Sequence, residues 1–168
     1  FDDKLATQII SEHGSADIMT INNLFANIDD LETFMMAVDK LLSSEGVLII
    51  ESSYLFDMIQ KMVFDFIYHE HLSYFSIKPL IPFFKKYRMH FVRIQKIPTK
   101  GGSLRYFVAR ENSKWKVDPS IVRLSEDENE GNSLRIQFQE YSEKIEEQKG
   151  KLNEYLEKYK GQCIVGYG

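Results

Sequence analysis

Apolar residues along the chain recur at two spacings. Ala16 to Asn22 is short, β-branched and flanked by polar positions, the pattern of a buried strand ending at Asn22 and Asn23. Leu31, Phe34, Met35, Val38, Leu41 and Leu42 then recur three and four apart, which predicts a helix, with Asp29 as its N-cap and Glu32 completing a capping box. Ser44-Glu45-Gly46 is expected to end it. Val47-Leu48-Ile49-Ile50-Glu51 is a continuous apolar run closed by an acid, as in a central parallel strand. Strand, helix and strand form a βαβ unit, whose ligands are expected beyond the carboxyl ends of its strands, here near Asn22, Asn23 and Glu51 to Tyr54.

Further along, Tyr54 to Phe64 is expected to contain a helix. Ile77 to Tyr87 is expected to form another, started by Lys78-Pro79 and turning Leu80, Phe83 and Phe84 inward. Met89 to Ile97 and Ser103 to Arg110 read as two strands, and the loop between them, containing Pro98, Lys100, Gly101 and Gly102, is short enough for an antiparallel hairpin. Asn112 to Ser133 is polar and acidic and suits a linker or surface segment, so the chain is expected to divide into 1–111 and 112–168. Leu134, Phe138, Tyr141, Ile145, Leu152, Tyr155 and Tyr159 mark one long amphipathic helix, with Gln148 and Gly150 interrupting its apolar face. That helix either self-associates or leads into a second α/β unit opened by a strand from Cys163 to Gly168.

Composition narrows the class. The 168 residues are 43% hydrophobic, 13% aromatic and 27% charged, which describes a globular protein with a packed core. A formal charge of −4 gives no electrostatic basis for sequence-independent binding to nucleic acid or to an anionic membrane surface. The apolar run from Gly46 to Ile50 falls far short of the ~20 residues of a membrane helix. A single cysteine, Cys163, forms no internal disulfide and suits a reducing compartment, so a cytoplasmic location is expected. The chain opens on Phe1 without a signal-peptide pattern and closes on glycines, and both ends read as cut from a longer protein.

Tyr68-His69-Glu70-His71 is the densest group of titratable residues, set among Phe64, Phe66, Ile67, Leu72, Tyr74 and Phe75. Such groups in apolar surroundings serve either acid/base chemistry or a polar network. No metal is expected: His69 and His71 lie two apart, but no third ligand cluster accompanies them. Thr99 to Arg105 combines two glycines with Lys100, Ser103 and Arg105, a mixture that suits either phosphate contacts or a glycine-rich hairpin turn with exposed bases. Gly166-Tyr167-Gly168 lacks the third glycine of a nucleotide fingerprint and is assigned no cofactor.

Tyr-His-Glu-His-Leu-Ser-Tyr-Phe-Ser (Tyr68 to Ser76), Lys-Gly-Gly-Ser-Leu-Arg (Lys100 to Arg105) and the terminal Ile-Val-Gly-Tyr-Gly together resemble the S-adenosylmethionine-dependent sugar C-methyltransferases, which act on nucleotide-linked 4-keto deoxysugars. The resemblance extends to Asp17–Asp30 and Gly46–Tyr54, which look like the fourth and fifth strand regions of that family's cofactor domain. It implies an α/β fold: the second half of a class I, Rossmann-like methyltransferase sheet with a terminal antiparallel hairpin, then a long helix and the start of a C-terminal α/β domain. The family's zinc domain and its glycine-rich cofactor loop have no counterpart in these residues, so this chain alone is expected to be inactive.

By the same resemblance His71 is the general base, with Tyr68 and Glu70 orienting the sugar or relaying protons. Asn22 and Asn23 lie where S-adenosylmethionine would be held. Asn27, Lys100, Ser103 and Arg105 fall on the side of the substrate, which the resemblance implies is a sugar nucleotide linked to thymidine diphosphate. Where the family often has histidines, this chain has Asn27 and Lys100; Asn27 can hydrogen-bond but cannot act as a base, and Lys100 can attract a pyrophosphate. Two other readings stand beside this one. One is a non-catalytic fragment that binds sugar nucleotides or self-associates through residues 134–159; the other is methylation of oxygen or nitrogen, which has less need of a base at His71.

Overall fold

The computed structural model describes residues 1–128 and 133–167. The chain divides into two compact units, Phe1–Glu130 and Gly131–Gly168. The first is an α/β unit built on a mixed sheet of four strands, β1 (Ala16–Asn22), β2 (Leu42–Ser53), β3 (Met89–Ile97) and β4 (Ser103–Arg110), in the order β1-β2-β4-β3. β1 and β2 are parallel, and β4 is antiparallel to both β2 and β3. The expected βαβ unit and hairpin are therefore both present.

Side chains alternate between the faces of a sheet, and here that alternation separates a sealed face from an open one. Ile21, Leu48, Ile50, Leu104, Tyr106, Val108, Phe91 and Ile94 enter the main core. The helices α2 (Leu31–Leu41) and α4 (Ile77–Lys85) complete it with Phe34, Met35, Val38, Leu80 and Phe84. Phe25 lies at its centre, with ring centroids 4.9 Å from Phe75 and 6.4 Å from both Phe83 and Phe84. On the open face Ile18 is 67% exposed, and with Val47, Ile49, Phe107 and Trp115 it lines a cavity of about 710 Å³.

Several local expectations are corrected. α1 (Asp3–His13) was not foreseen, although Asp2 caps Leu5 N–H and Gly14, at φ 81°, ends it. Its Ala6 packs with Ala37 and Leu41 of α2 in a small second core. The N-cap of α2 is Asp30 rather than Asp29, its carboxylate accepting from Thr33 N–H at 2.9 Å and from Thr33 Oγ1–H at 2.6 Å. Glu32, instead of closing a capping box, pairs with Lys86 at 3.0 Å.

Gly46 does not terminate α2, because β2 already begins at Leu42. A Cβ at Gly46 would lie 2.8 Å from the Ala16 carbonyl, so the glycine admits the neighbouring strand where the register between β1 and β2 shifts. Arg110 takes over the helix end, its guanidinium meeting the Asp39 carboxylate and donating to the carbonyls of Asp39 and Leu42.

The stretch read as a linker holds α5 (Ser120–Asp127), whose Ile121 joins the main core. Before it, Asp118 N–H donates to Val92 O and Trp115 Nε1–H to Glu45 O. The acidic run continues through Asn129 to Gly131, outside the described residues. In the second unit α6 (Leu134–Glu157) is the expected long helix and runs through Gly150 without a break. The strand expected from Cys163 does not form among the described residues: 163–167 are exposed and irregular, and Gly168 lies outside them. A strand needs a neighbour for its hydrogen bonds, and the described part of this unit offers only a helix.

Candidate functional site

The carboxyl ends of β1 and β2 open onto three irregular segments. The first follows β1, where Asn23 adopts a left-handed backbone at φ 54° and donates its N–H to Glu51 O at 2.9 Å. The turn Phe25–Asn27 comes next, Phe25 sunk into the core and Leu24 exposed. Asn22 and Asn23 keep solvent-exposed side chains at this edge, whereas Asn27 Oδ1 is buried without a hydrogen-bond partner.

The second segment joins α3 (Leu55–Gln60) to α4 and carries Tyr68 to His71. It is tied to the first segment because the Ala26 carbonyl accepts Leu72 N–H at 2.9 Å and Ser73 N–H at 3.2 Å. Within it the Tyr68 hydroxyl lies 3.1 Å from His71 Nε2, and the two rings are 4.3 Å apart. His71 Nδ1 lies 3.0 Å from the Phe66 carbonyl, which also accepts the Tyr74 hydroxyl at 3.2 Å. A carbonyl only accepts, so Nδ1 carries the proton of neutral His71 and Nε2 holds the lone pair that receives the Tyr68 hydroxyl. Burial raises the pKa of Tyr74, keeping its hydroxyl a donor to that carbonyl.

Of the residues singled out in this motif, the structure brings Tyr68 and His71 together. His69 and Glu70 are exposed, and neither hydrogen-bonds to that pair among the described residues. Phe66 supplies a functional group that residue type could not signal, because it acts through its backbone oxygen.

The third segment is the turn between β3 and β4. Lys100, at φ 51°, is exposed. Gly102, at φ 142°, lies against Asp57, and its carbonyl accepts Tyr54 N–H at 3.1 Å. Ser103 is 1% exposed and donates its hydroxyl to Thr99 O at 3.2 Å. Arg105 stands directly opposite Glu51 in the register and donates Nε–H and Nη2–H to its Oε2 at 3.0 and 2.6 Å. Thr99 Oγ1 reaches the other oxygen of Glu51 at 3.3 Å. The same register places Asn22 beside Glu51 and Gln95 beside Arg105, so a polar row crosses all four strands at this edge. Glu51 was legible only as the acid closing an apolar run; its place in that row depends on pairing.

Below this edge Glu128, at the end of α5, is a buried carboxylate. It accepts Ile77 N–H at 2.6 Å, Lys78 N–H at 3.0 Å and the Tyr54 hydroxyl at 3.2 Å. Burial first, and the Glu128 charge second, hold the Tyr54 hydroxyl far above its ordinary pKa. Among the described residues no group of three or more His, Cys, Asp or Glu could hold a metal ion, and no helix is long and apolar enough to cross a membrane.

Residues 98–168 match the family of the C-methyltransferase C-terminal domain. The whole chain is similar to C-methyltransferase NovU of Streptomyces niveus, 27% identical over 171 residues. The alignment covers 100% of this chain and 41% of that relative's length. The resemblance to C-methyltransferases drawn from the sequence is borne out by both comparisons.

Proposed function

We propose that this chain carries the catalytic segment of an S-adenosylmethionine-dependent C-methyltransferase whose substrate is a nucleotide-linked 4-keto deoxysugar. The observation that supports it best is the paired Tyr68 hydroxyl and His71 Nε2, with Nδ1–H fixed on a backbone carbonyl. The similarity to C-methyltransferases supports the reaction class. The parallel pair followed by a hairpin suits the later half of a Rossmann-like methyltransferase sheet.

The chemistry asks for a base beside a ketone. A proton on the carbon next to C4 is acidic only while the enolate oxygen is stabilised. In this reading the entering sugar draws the Tyr68 hydroxyl onto the C4 oxygen, which uncovers Nε2. His71 then removes the neighbouring carbon-bound proton, and the Phe66 carbonyl holds the resulting imidazolium in place through Nδ1–H. Glu70 orients a sugar hydroxyl. Lys100 attracts the pyrophosphate, while Ser103 and Arg105 act on the substrate side through the shape of their turn and the Glu51 pair.

The donor set at the β1 edge suits S-adenosylmethionine, because Asn22 and Asn23 present exposed amides, while the buried, unpartnered Asn27 Oδ1 falls to the substrate side. When bound there, that group supplies an electrophilic methyl. The residues of this chain would hold its polar end and the sugar on either side of the Ala26 turn. Calorimetric titration of the chain with a thymidine-diphosphate sugar and, separately, with S-adenosylhomocysteine tests the two halves of the assignment. Binding of the sugar nucleotide that weakens in Lys100→Ala supports the substrate half; binding of neither ligand by the folded chain overturns the reading.

A further inference from the structure

The Tyr68–His71 pair lies in a segment without regular hydrogen bonding, so something beyond its own sequence must fix where it stands. Its entry and exit are not alike. The entry, Lys61 to Phe64, leaves the short helix α3. The exit runs within a few residues from Ser73, held by Ala26, into Phe75, whose carbonyl accepts Leu55 N–H at 3.0 Å, and then into α4.

α4 starts without a side-chain cap of its own: Ser76 makes no capping bond, and Pro79 and Pro82 bring no N–H groups to the helix. Glu128 supplies the acceptor from fifty residues away, taking the Ile77 and Lys78 N–H groups on its two oxygens. A carboxylate at a helix N-terminus is also favoured by the helix dipole.

The same carboxylate holds Tyr54, and Tyr54 is the junction of the site. Its N–H is bound by the Gly102 carbonyl in the Lys100 turn, its backbone bridges to Phe75, and its ring lies 5.7 Å beneath the Lys96 ammonium. One buried carboxylate therefore fastens the exit of the Tyr68–His71 segment and the base of the hairpin turn to each other. Phe75, Ile77 and Tyr54 pack in the main core, and Glu128 adds to that packing a polar tie with a fixed direction.

We infer that Glu128 is a positioning residue: it sets the placement of the Tyr68–His71 segment relative to the Lys100 turn, although it touches neither reacting group. The functional meaning rests on the methyltransferase reading above. The physical claim concerns the order of the segment and is measured without any ligand.

Amide hydrogen exchange on this chain tests it, comparing Glu128→Gln and Glu128→Ala with Ile121→Val, a core change in the same helix. Gln keeps the shape of Glu128 but turns an NH₂ group toward one of its donors, and it serves if Ala fails to fold. The expected result is exchange at Leu72, Ser73, Ile77 and Tyr54 at least tenfold faster in the Glu128 variants. Ile121→Val, at a matched loss of melting temperature, should leave Leu72 and Ser73 at their wild-type rates, and Glu128→Asp should restore part of the protection. Equal acceleration in the Glu128 and Ile121 variants, or acceleration confined to Ile77 and Lys78, would overturn the proposal, because Glu128 would then be a general stabiliser or a local cap. Failure of the sugar nucleotide to bind would leave this outcome unaffected and would count against the methyltransferase reading instead.

Discussion

The Tyr68–His71 segment and the Thr99–Arg105 turn carry similar chemistry in the sequence but use it differently. In the first, Tyr68 and His71 bond to each other and His71 also to a backbone carbonyl, and the segment remains within reach of solvent. In the second, Lys100 is exposed but the other polar side chains are taken up by the fold: Ser103 is buried on Thr99 O, and Arg105 is bound to Glu51. The difference follows from local structure. An irregular segment leaves its side chains to find one another, whereas a strand places each residue opposite a fixed partner. A functional group is therefore more available on a loop anchored by its backbone than on a strand whose register pairs it.

The largest expected effect breaks the first region chemically. If the proposed methyltransferase reading holds, His71→Ala in the protein that carries this chain should lower methyl transfer and solvent exchange of the carbon-bound proton by about 10² to 10⁴-fold. His71 is half-buried, so a modest fall in melting temperature is expected beside the loss of activity, and activity within threefold of wild type would remove His71 as the base.

Phe25→Ala should break the same region mechanically. The side chain is 0% exposed and meets Phe34, Phe75, Phe83 and Phe84, so its loss should cost about 3–5 kcal/mol in urea unfolding. It also removes the floor of the turn whose Ala26 carbonyl holds Leu72 and Ser73.

Arg105→Met tests the second region. Two hydrogen bonds to a buried carboxylate disappear, for an expected loss of about 1.5–3 kcal/mol. If Arg105 instead contacts substrate directly, the variant will lose binding of the sugar nucleotide without losing stability, and the contrast between the regions fails.

Tyr106, the neighbour of Arg105 in β4, sharpens the point from the opposite face. Its hydroxyl is fully buried without a partner, so Tyr106→Phe should be stabilising by about 1 kcal/mol in thermal or chemical denaturation. Burial first, and the Glu128 charge second, raise the Tyr106 pKa well above its ordinary value. The neutral form is thus favoured by folding: its contribution is complete below pH ~10 and is lost as pH rises beyond it toward the folded value. The fall in stability above pH ~10 should be shallower in the Phe variant.

Lys100→Ala carries the smallest expected change in stability, within about 0.5 kcal/mol, because the side chain is exposed. Its effect should appear in sugar-nucleotide affinity alone.

Much of the architecture was written in local patterns. β1, β3 and β4 stand where alternation and β-branching put them, and α2 where Leu31, Phe34, Met35, Val38 and Leu41 share one face. The Tyr68 to His71 cluster stood out in the sequence, but that Tyr68 and not Glu70 pairs with His71 came from the structure. α1 escaped notice although Asp2 and Gly14 bracket it, and the cap of α2 was displaced by one residue because two adjacent aspartates offer the same chemistry.

Other features depend on residues far apart in the chain. Gly46 resembles a helix stop but faces the β1 backbone, and Glu51 and Arg105 become one ion pair only when β4 inserts between β2 and β3. Glu128 lies in an acidic run that reads as solvated surface, yet it caps a helix begun fifty residues earlier. Sequence by itself determined most of the elements and singled out the Tyr68 to His71 motif, because propensity and hydrophobic period act over a few residues. Only the tertiary structure decided which charges are spent in the fold and which stay free to act, because burial and pairing are properties of neighbours that the chain brings together from a distance.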